Sequence, residues 1–460
     1  MRQPVPRRLS IFAAIAIAVA TFAVSSCVEP TNMKLTVAKP TSTVVIERVR
    51  SPGGIESWLV QDDTVPIISM SFSFAGAAAI DPPGKEGLAD MVSSLLDEGA
   101  GELDSKAFQR ALEDISASIS FDAGRERFRG SLRTLSRHRD AGFQLLSLAV
   151  NSPRFDPKPV ERIRAQLIAS LMSQQENPRR IAGRTWYSTV FPSHPYGKPV
   201  AGTTDSIKAI KRSDLNRFTA ERFGRDNLLI GVVGDITSDE LGRRLDEVFA
   251  GLAARSNPVR VTDVRPDGAG KLVIVRKKIP QSVVVFGQRG IKRDDKDYYA
   301  AYVMNYILGG GGFSSRLTEE IREKRGLAYS VYSYLNPLDH AGLIMGGLGT
   351  RNDRVATSLK ILRAEWARIA HNGVSDEELR KAKTYINGSF PLRLDSSRSI
   401  ANLLVAIQVS KLGIDYLDRR PELIDAVSRD QVRLVARRLL EPNRLTVVVV
   451  GDPKDLETKP

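Results

Sequence analysis

The sequence predicts an α+β fold in two similar halves, each a mainly antiparallel sheet with helices packed on one face. Three observations lead there. Strand-like segments come in adjacent pairs, as at 117–121 with 127–132, and runs of helix separate the pairs. The strict alternation of single strands with single helices that a doubly wound parallel sheet needs is missing. A helix leading into a strand that ends in Gly-Asp occurs once in each half. Asp214-Leu-Asn-Arg-Phe-Thr-Ala-Glu-Arg-Phe223 is echoed 216 positions later by Asp430-Gln-Val-Arg-Leu-Val-Ala-Arg-Arg-Leu439, and Val233-Gly234-Asp235 recurs 217 positions later as Val450-Gly451-Asp452. Finally, the polar stretch 254–269, with Pro258, Pro266 and Gly268, divides the chain near its middle, as a duplication of one unit requires.

The elements follow in order. Strands are expected at 43–49, 55–60 and 67–74, the last alternating small and apolar residues at period two. The turn Asp81-Pro82-Pro83-Gly84 opens a helix over 85–98, and a second helix covers 105–115. After the strand pair come helices at 136–149, 157–176 and 178–190, a rigid loop at Phe191–Gly197, a helix at 213–223, a strand at 227–233 and a helix at 238–250. The second half opens with strands at 271–277 and 282–287 and helices at 295–308 and 314–325. Strands near 328–335 and 341–347 follow, then helices at 352–371, 375–388, 398–410 and 429–440 and a strand at 445–450.

Composition narrows the function. With 42% hydrophobic and 26% charged residues the chain is a folded protein, neither disordered nor polytopic in a membrane. One cysteine and four histidines exclude a disulfide framework and a Cys/His zinc knuckle. The net charge of +14 falls to +11 without Arg2, Arg7 and Arg8. The remaining basic residues are scattered, with no aromatic-interleaved stripe, so no nucleic-acid partner is expected.

Those three arginines begin a leader. An apolar run from Ile11 to Val24 follows them, then Ser25, Ser26 and Cys27, the layout of an export signal over 1–27. Fourteen residues are short of the roughly 20 that span a membrane. Val24-Ser25-Ser26-Cys27 resembles a lipoprotein cleavage box, so lipidation of Cys27 with a membrane tether and ordinary cleavage are both open readings. Residues 28–41 read as a tether. The expected location is the periplasm of a Gram-negative bacterium, with a lipid anchor if Cys27 is modified.

Familiar catalytic motifs are absent. There is no G-x-S-x-G elbow, P-loop or dinucleotide fingerprint, and no two histidines lie at chelating spacing. Gly309-Gly310-Gly311-Gly312 lacks the lysine of a phosphate loop and reads as glycines that permit a tight backbone after an apolar helix. His194, beside Pro195, reads as a loop-packing residue.

Several stretches, in order, carry a resemblance. Gly309–Tyr334 (four glycines, then FSSRLTEEIREKRGLAYSVYSY) is similar to the C-terminal signature of the pitrilysin or mitochondrial-processing-peptidase-like M16 zinc peptidases. So are Ile279-Pro280-Gln281-Ser282, the segment Glu377–Lys383 leading to Gly388-Ser389-Phe390-Pro391, Gly87-Leu88-Ala89, Phe155-Asp156 and His194-Pro195-Tyr196-Gly197. The resemblance covers about 43–453. It implies two homologous metallohydrolase-like domains of about 220 residues that enclose a chamber for unfolded or short peptides. The corresponding divisions are 42–253, the linker 254–269, and 270–455.

The same resemblance shows what is missing. Where active members carry H-x-x-E-H, this chain has Asp90, Ser93 and Ser94, and the third-ligand position falls at about Ser170. Positions 90, 93 and 94 share a helix face, but an aspartate with two neutral hydroxyls is a poor zinc set, and no carboxylate remains as general base. Asp90 reads as a solvent-facing or capping residue. The chain is therefore expected to hold no cofactor or metal and not to be an enzyme alone.

The other half of the family's site is kept: Arg322 and, seven residues on, Tyr329, which in the family reach toward zinc and the substrate carbonyl. On spacing alone, Arg322 would pair with Glu319 and Tyr329 would be a strand aromatic near Tyr332 and Tyr334. Within the motif, the pair implies the non-catalytic subunit of a heterodimeric zinc peptidase. Its partner is an M16 chain of similar length carrying H-x-x-E-H and the zinc. The alternative is an inert peptide-binding or structural homodimer.

Overall fold

The computed structural model describes residues 44–257, 259–268 and 270–456, within one compact unit spanning 42–460. Residues 1–27, expected to be an export leader, the expected tether 28–41 and Cys27 lie outside the described residues. Among those described, no helix is long and apolar enough to cross a membrane. The strands are β1 (Glu47–Arg50), β2 (Glu56–Gln61), β3 (Ile67–Ala75), β4 (Gly99–Ala100), β5 (Leu103–Asp104), β6 (Ser118–Ala123), β7 (Arg127–Leu135) and β8 (Leu228–Gly234). The second half adds β9 (Leu272–Arg276), β10 (Gln281–Arg289), β11 (Ala328–Pro337), β12 (Gly342–Arg351) and β13 (Thr446–Gly451).

The chain is a mixed α+β fold. One sheet runs β1-β2-β8-β3-β7-β6 and the other β11-β12-β10-β13-β9, with β4 and β5 forming a separate small ribbon. Taken from its other end, the second sheet matches the first strand for strand from β2 onward. In each, all pairs but one are antiparallel, and the parallel pair falls at the same place, β2 with β8 and β9 with β13. The long central pairs also correspond: β3 pairs with β7 from Ile67↔Leu135 to Ala75↔Arg127, and β10 with β12 from Gln281↔Arg351 to Arg289↔Leu343. The helix–strand–Gly-Asp repeat seen in the sequence is thus the helix Arg212–Arg222 feeding β8 and the helix Arg429–Leu439 feeding β13.

Helices cover both faces of each sheet, which differs from the one-sided packing expected. Val232 of β8 packs in the first-half core with Phe72, Phe249 and Leu241, whereas its neighbour Val233 points to the opposite face. There it meets Ala401, Leu404 and Ile407 of the helix Ser397–Val409, which belongs to the second half. The exchange is reciprocal. Val447 and Val449 of β13 face the second-half core, while Val448 and Val450 face Ala182, Trp186 and Val190 of the first-half helix Pro178–Val190. The Trp186 indole N–H donates to the Thr446 carbonyl at 3.2 Å.

Two glycines make room for these crossing helices. A Cβ on Gly231 would stand 2.7 Å from the Ala401 carbonyl oxygen and 2.8 Å from the Leu404 Cβ, and one on Gly287 would stand 2.7 Å from the Trp186 ring. Strands β8, of Leu, Ile and Val, and β13, mostly Val, are buried on both faces and read as continuous apolar runs for the same reason.

Helices Pro157–Glu176 and Pro178–Val190 fall where the sequence places them, each with proline in its first turn. Three local differences have physical causes. The helix expected over 85–98 is only Leu88–Ser93, because the Ser93 and Ser94 hydroxyls both donate to the Asp90 carbonyl and the chain then tightens into turns. The helix expected over 295–308 is α-helical over Tyr298–Asn305 and continues as a wider i→i+5 turn over Tyr306–Gly310. The helix Tyr416–Asp425 carries Pro421 inside it, and that proline hid it from the sequence reading.

Candidate functional site

The short helix Leu88–Ser93 holds the positions where a zinc motif would stand. Asp81, fully buried at the end of the Ala78–Ile80 turn, pins its start by accepting from the backbone N–H of Gly87 (3.0 Å) and Ala89 (3.3 Å). Arg222 closes the arrangement at 3.4 Å from Asp81, and it also donates to the Ala77 and Ile80 carbonyls. Burial pushes the Asp81 carboxyl up to about 7 even so, with Arg222 and the two N–H groups opposing the shift.

On this pinned turn the residues present do not fit zinc. The Ser93 hydroxyl donates to the Asp90 carbonyl at 2.8 Å and the Ser94 hydroxyl to the same oxygen at 3.0 Å, so both are tied back onto their own helix. Asp90 is not the freely solvated residue expected. It is partly buried, and burial, reinforced by the nearby Asp122 carboxylate, pushes its pKa up to about 6. Ser170, on the helix Pro157–Glu176, is exposed and accepts from Gln174 of that helix at 3.0 Å; no hydrogen bond joins it to Asp90, Ser93 or Ser94. Among the described residues, no three His, Cys, Asp or Glu side chains converge to hold a metal ion.

The structure brings Arg322 and Tyr329 together. Arg322 lies in a wide i→i+5 helical turn, Thr318–Glu323, and Tyr329 follows on β11, the edge strand of the second sheet. Pairing of β11 with β12 slips between Ala328 and Ser330, so Tyr329 is the bulged residue and its side chain is 79% exposed. The Arg322 guanidinium carbon lies 5.6 Å from the Tyr329 ring centroid and 4.7 Å from that of the exposed Phe313. Its nearest carboxylate is Glu323 at 3.4 Å. The expected partner Glu319 instead meets Lys324 at 2.9 Å, because a wide turn no longer stacks residues three apart.

Gly309 and Gly310, the first two of the four glycines, let the chain leading into this turn lie against β11. A Cβ on Gly309 would stand 2.4 Å from the Ser333 hydroxyl and 2.7 Å from its backbone nitrogen. In the space they leave, buried Asn305 accepts from the Ser333 hydroxyl (2.8 Å) and donates to its carbonyl (3.2 Å). The start of the same segment is fixed by Arg316, whose Nε and Nη2 donate to the two carboxylate oxygens of Glu378 at 2.6 and 2.8 Å. Burial alone would raise the Glu378 pKa, but these bonds and the Ser375 N–H hold it down at about 2. Two stretches singled out in the sequence, FSSR and EELRKAK, are therefore one structural unit.

His194 packs its loop, accepting from the Tyr196 N–H at 3.2 Å and meeting the Thr262 carbonyl of the 254–269 stretch at 3.0 Å. Sequence reasoning missed a polar groove of about 540 Å³ between the first sheet and the helix Ser397–Val409. Ser71 and Ser131, paired across β3 and β7, line it with Arg129, Asp122, Arg398 and Asn402. The Ser69-x-Ser71-x-Ser73 alternation in β3 was the available signal, for it puts hydroxyls on the face turned away from the Phe72–Phe74 core.

Comparison with known proteins agrees with this geometry. A family model described as the peptidase M16 inactive domain matches residues 209–386. An uncharacterized zinc protease of Streptomyces coelicolor is 26% identical over 89% of this chain and 90% of its own length. A non-peptidase homolog of Helicobacter pylori is 27% identical over 86% of this chain and 91% of its own. Among solved structures, a peptidase M16 inactive domain from Pseudomonas fluorescens superposes with a TM-score of 0.84 at 28% identity, covering 91% of this chain and all of that one.

Proposed function

We propose, from the premise that the chain belongs to the M16 peptidase family and is of its non-catalytic type, that it is one subunit of an exported heterodimeric zinc peptidase. The partner, an M16 chain with H-x-x-E-H, supplies the metal and the general base. This chain supplies half of a two-domain peptide chamber, with Arg322 and Tyr329 as donors toward the substrate carbonyl. The observation that carries the reading is the exposed Arg322–Tyr329 pair on an edge-strand bulge, in a chain whose Leu88–Ser93 helix offers no zinc-binding set.

The chemistry suits the role. A guanidinium and a phenolic O–H both donate where negative charge develops on a carbonyl oxygen, and donors held in advance stabilise that charge without reorganising. Neither group is spent on a strong local partner: Arg322 has one carboxylate at 3.4 Å, and Tyr329 faces solvent. The serine-lined groove and the edge strand β6 would take an extended peptide by backbone pairing. Export to the periplasm through residues 1–27, with or without a lipid on Cys27, belongs to the same proposal.

The test is co-expression with an exported H-x-x-E-H chain from the same genome. Co-elution as a one-to-one complex, with hydrolysis of an unstructured peptide by the pair and by neither chain alone, is the expected result. A stable homodimer that leaves the other chain's activity unchanged would favour the second reading, an inert peptide-binding or structural homodimer. The likeness to a non-peptidase homolog keeps that reading in view.

A further inference from the structure

A second cavity, of about 280 Å³, lies between the helix Ser397–Val409 and the helix Tyr416–Asp425. Three guanidiniums line it, from Arg293, Arg393 and Arg420, and no carboxylate does. None of the three forms an ion pair with a described carboxylate. Arg420 is only 6% exposed, and its acceptors are distant: the Ile386 carbonyl at 3.5 Å and the Asn387 side-chain oxygen at 3.4 Å. A buried guanidinium ordinarily finds a carboxylate or several close carbonyls, so Arg420 retains unused donor capacity.

The walls are aromatic. Arg293 stacks 4.0 Å from the Tyr298 ring centroid and donates to the Tyr299 and Tyr416 hydroxyls at 3.0 and 3.4 Å, while Arg420 lies 4.0 Å from the Phe390 ring. These stacking contacts fix the cations in place without neutralising them. Ala406 and Ser410 line both this cavity and the serine groove, so the two adjoin along one helix.

We propose that this cavity binds a peptide carboxylate together with the apolar side chain next to it, anchoring one end of a peptide whose body lies in the groove. The inference rests on the peptide-binding reading above and adds an anionic end-group to it. A planar carboxylate matches the guanidinium fork, the rings suit an apolar neighbour, and the volume admits about one residue.

The experiment measures fluorescence anisotropy of three labelled peptides of about ten residues, roughly 33 Å extended, on the purified full chain. One ends in Phe with a free carboxylate, one is its C-terminal amide, and one is the amide with glutamate as the penultimate residue. The free acid should bind about tenfold or more tighter than the amide. Arg393→Gln, at the exposed rim, and Arg420→Met should each shrink that ratio, and unchanged thermal melting of Arg393→Gln keeps the test valid if Arg420→Met misfolds. Recovery by the glutamate peptide would assign the carboxylate to a side chain and support the pocket. Equal binding of acid and amide would overturn the pocket while leaving the groove reading intact. Failure of all three peptides to bind would overturn both.

Discussion

The guanidinium carbon of Arg322 stands 5.6 Å from the ring centroid of Tyr329, although one belongs to a wide helical turn and the other to an edge-strand bulge. Two irregular elements are thus held against each other, and both irregularities aim a polar side chain outward. Losing either donor should lower turnover of the assembled enzyme by about 10²–10³, or about 2.7–4 kcal/mol, with the low end expected where a metal also polarises the carbonyl. Tyr329→Phe is the cleaner variant because the ring is 79% exposed, so stability should move by less than about 0.5 kcal/mol. The measurement is kcat and KM of reconstituted complexes, with assembly checked by size-exclusion chromatography; unchanged kcat in an intact complex would leave these residues without a catalytic part.

Stability should depend on the fork between Arg316 and Glu378. Glu378→Gln keeps the shape but loses the charge-assisted bonds, and urea unfolding at pH 7 should show a loss of about 1.5–3 kcal/mol. The sign with pH is fixed by the depressed pKa of about 2. Stability from Glu378 is fully present above its unfolded pKa, about 4.3, and is lost as pH falls toward 2. The variant should therefore lose less than the wild-type chain on acidification.

Asp90 should act in the opposite sense. Its pKa is raised to about 6, so over roughly pH 4–6 the folded chain keeps a proton that the unfolded chain has released. Stability from this group is present at pH 4 and lost as pH rises through 6. Asp90→Asn should be more stable than wild type at pH 8 by about 1–2 kcal/mol and nearly equal to it at pH 4. An equal difference at both pH values would show that Asp90 is solvated.

The purified chain should hold no stoichiometric zinc after dialysis, because the Ser93 and Ser94 hydroxyls are committed to the Asp90 carbonyl and Ser170 is exposed elsewhere on its helix. Elemental analysis returning about one zinc per chain would contradict this, as would chelator-sensitive hydrolysis by the chain alone.

Trp186 should matter to both halves at once. It fills the second sheet's outer face from a first-half helix, so Trp186→Ala should cost about 3–5 kcal/mol. Urea unfolding followed by circular dichroism and by fluorescence should still give one coincident transition. Two separated transitions would show that the crossing helices do not couple the halves.

Much of this fold is legible in the sequence, for definite reasons. The helices Pro157–Glu176 and Pro178–Val190 announce themselves through Asn177-Pro178 and Pro157, local signals that tertiary packing does not override. The repeat is legible because Gly234 and Gly451 end matching strands. The hidden features all depend on distant partners. Pro421 argues locally against a helix, and packing of Leu417 and Ile424 holds one in spite of it. The Arg322 pairing turned on an i→i+5 turn, which has no clear local signature. The cluster of Arg293 and Arg420, 127 positions apart, has none at all.

The reciprocal exchange of helices has a consequence for how the chain behaves when cut. Each sheet borrows part of its cover from the opposite half, and the stretch 254–269 joins lender to borrower while bonding to both, through the Asn257 N–H to the Glu221 carbonyl and the Val264 N–H to the His340 carbonyl. A protease that nicks that stretch should not release two free-standing pieces. The fragments should travel together through a column as a clasped pair and part only under denaturant, each then exposing a strip of apolar sheet. A single unduplicated copy would face the same need, and a twin offering its own helix in return would meet it.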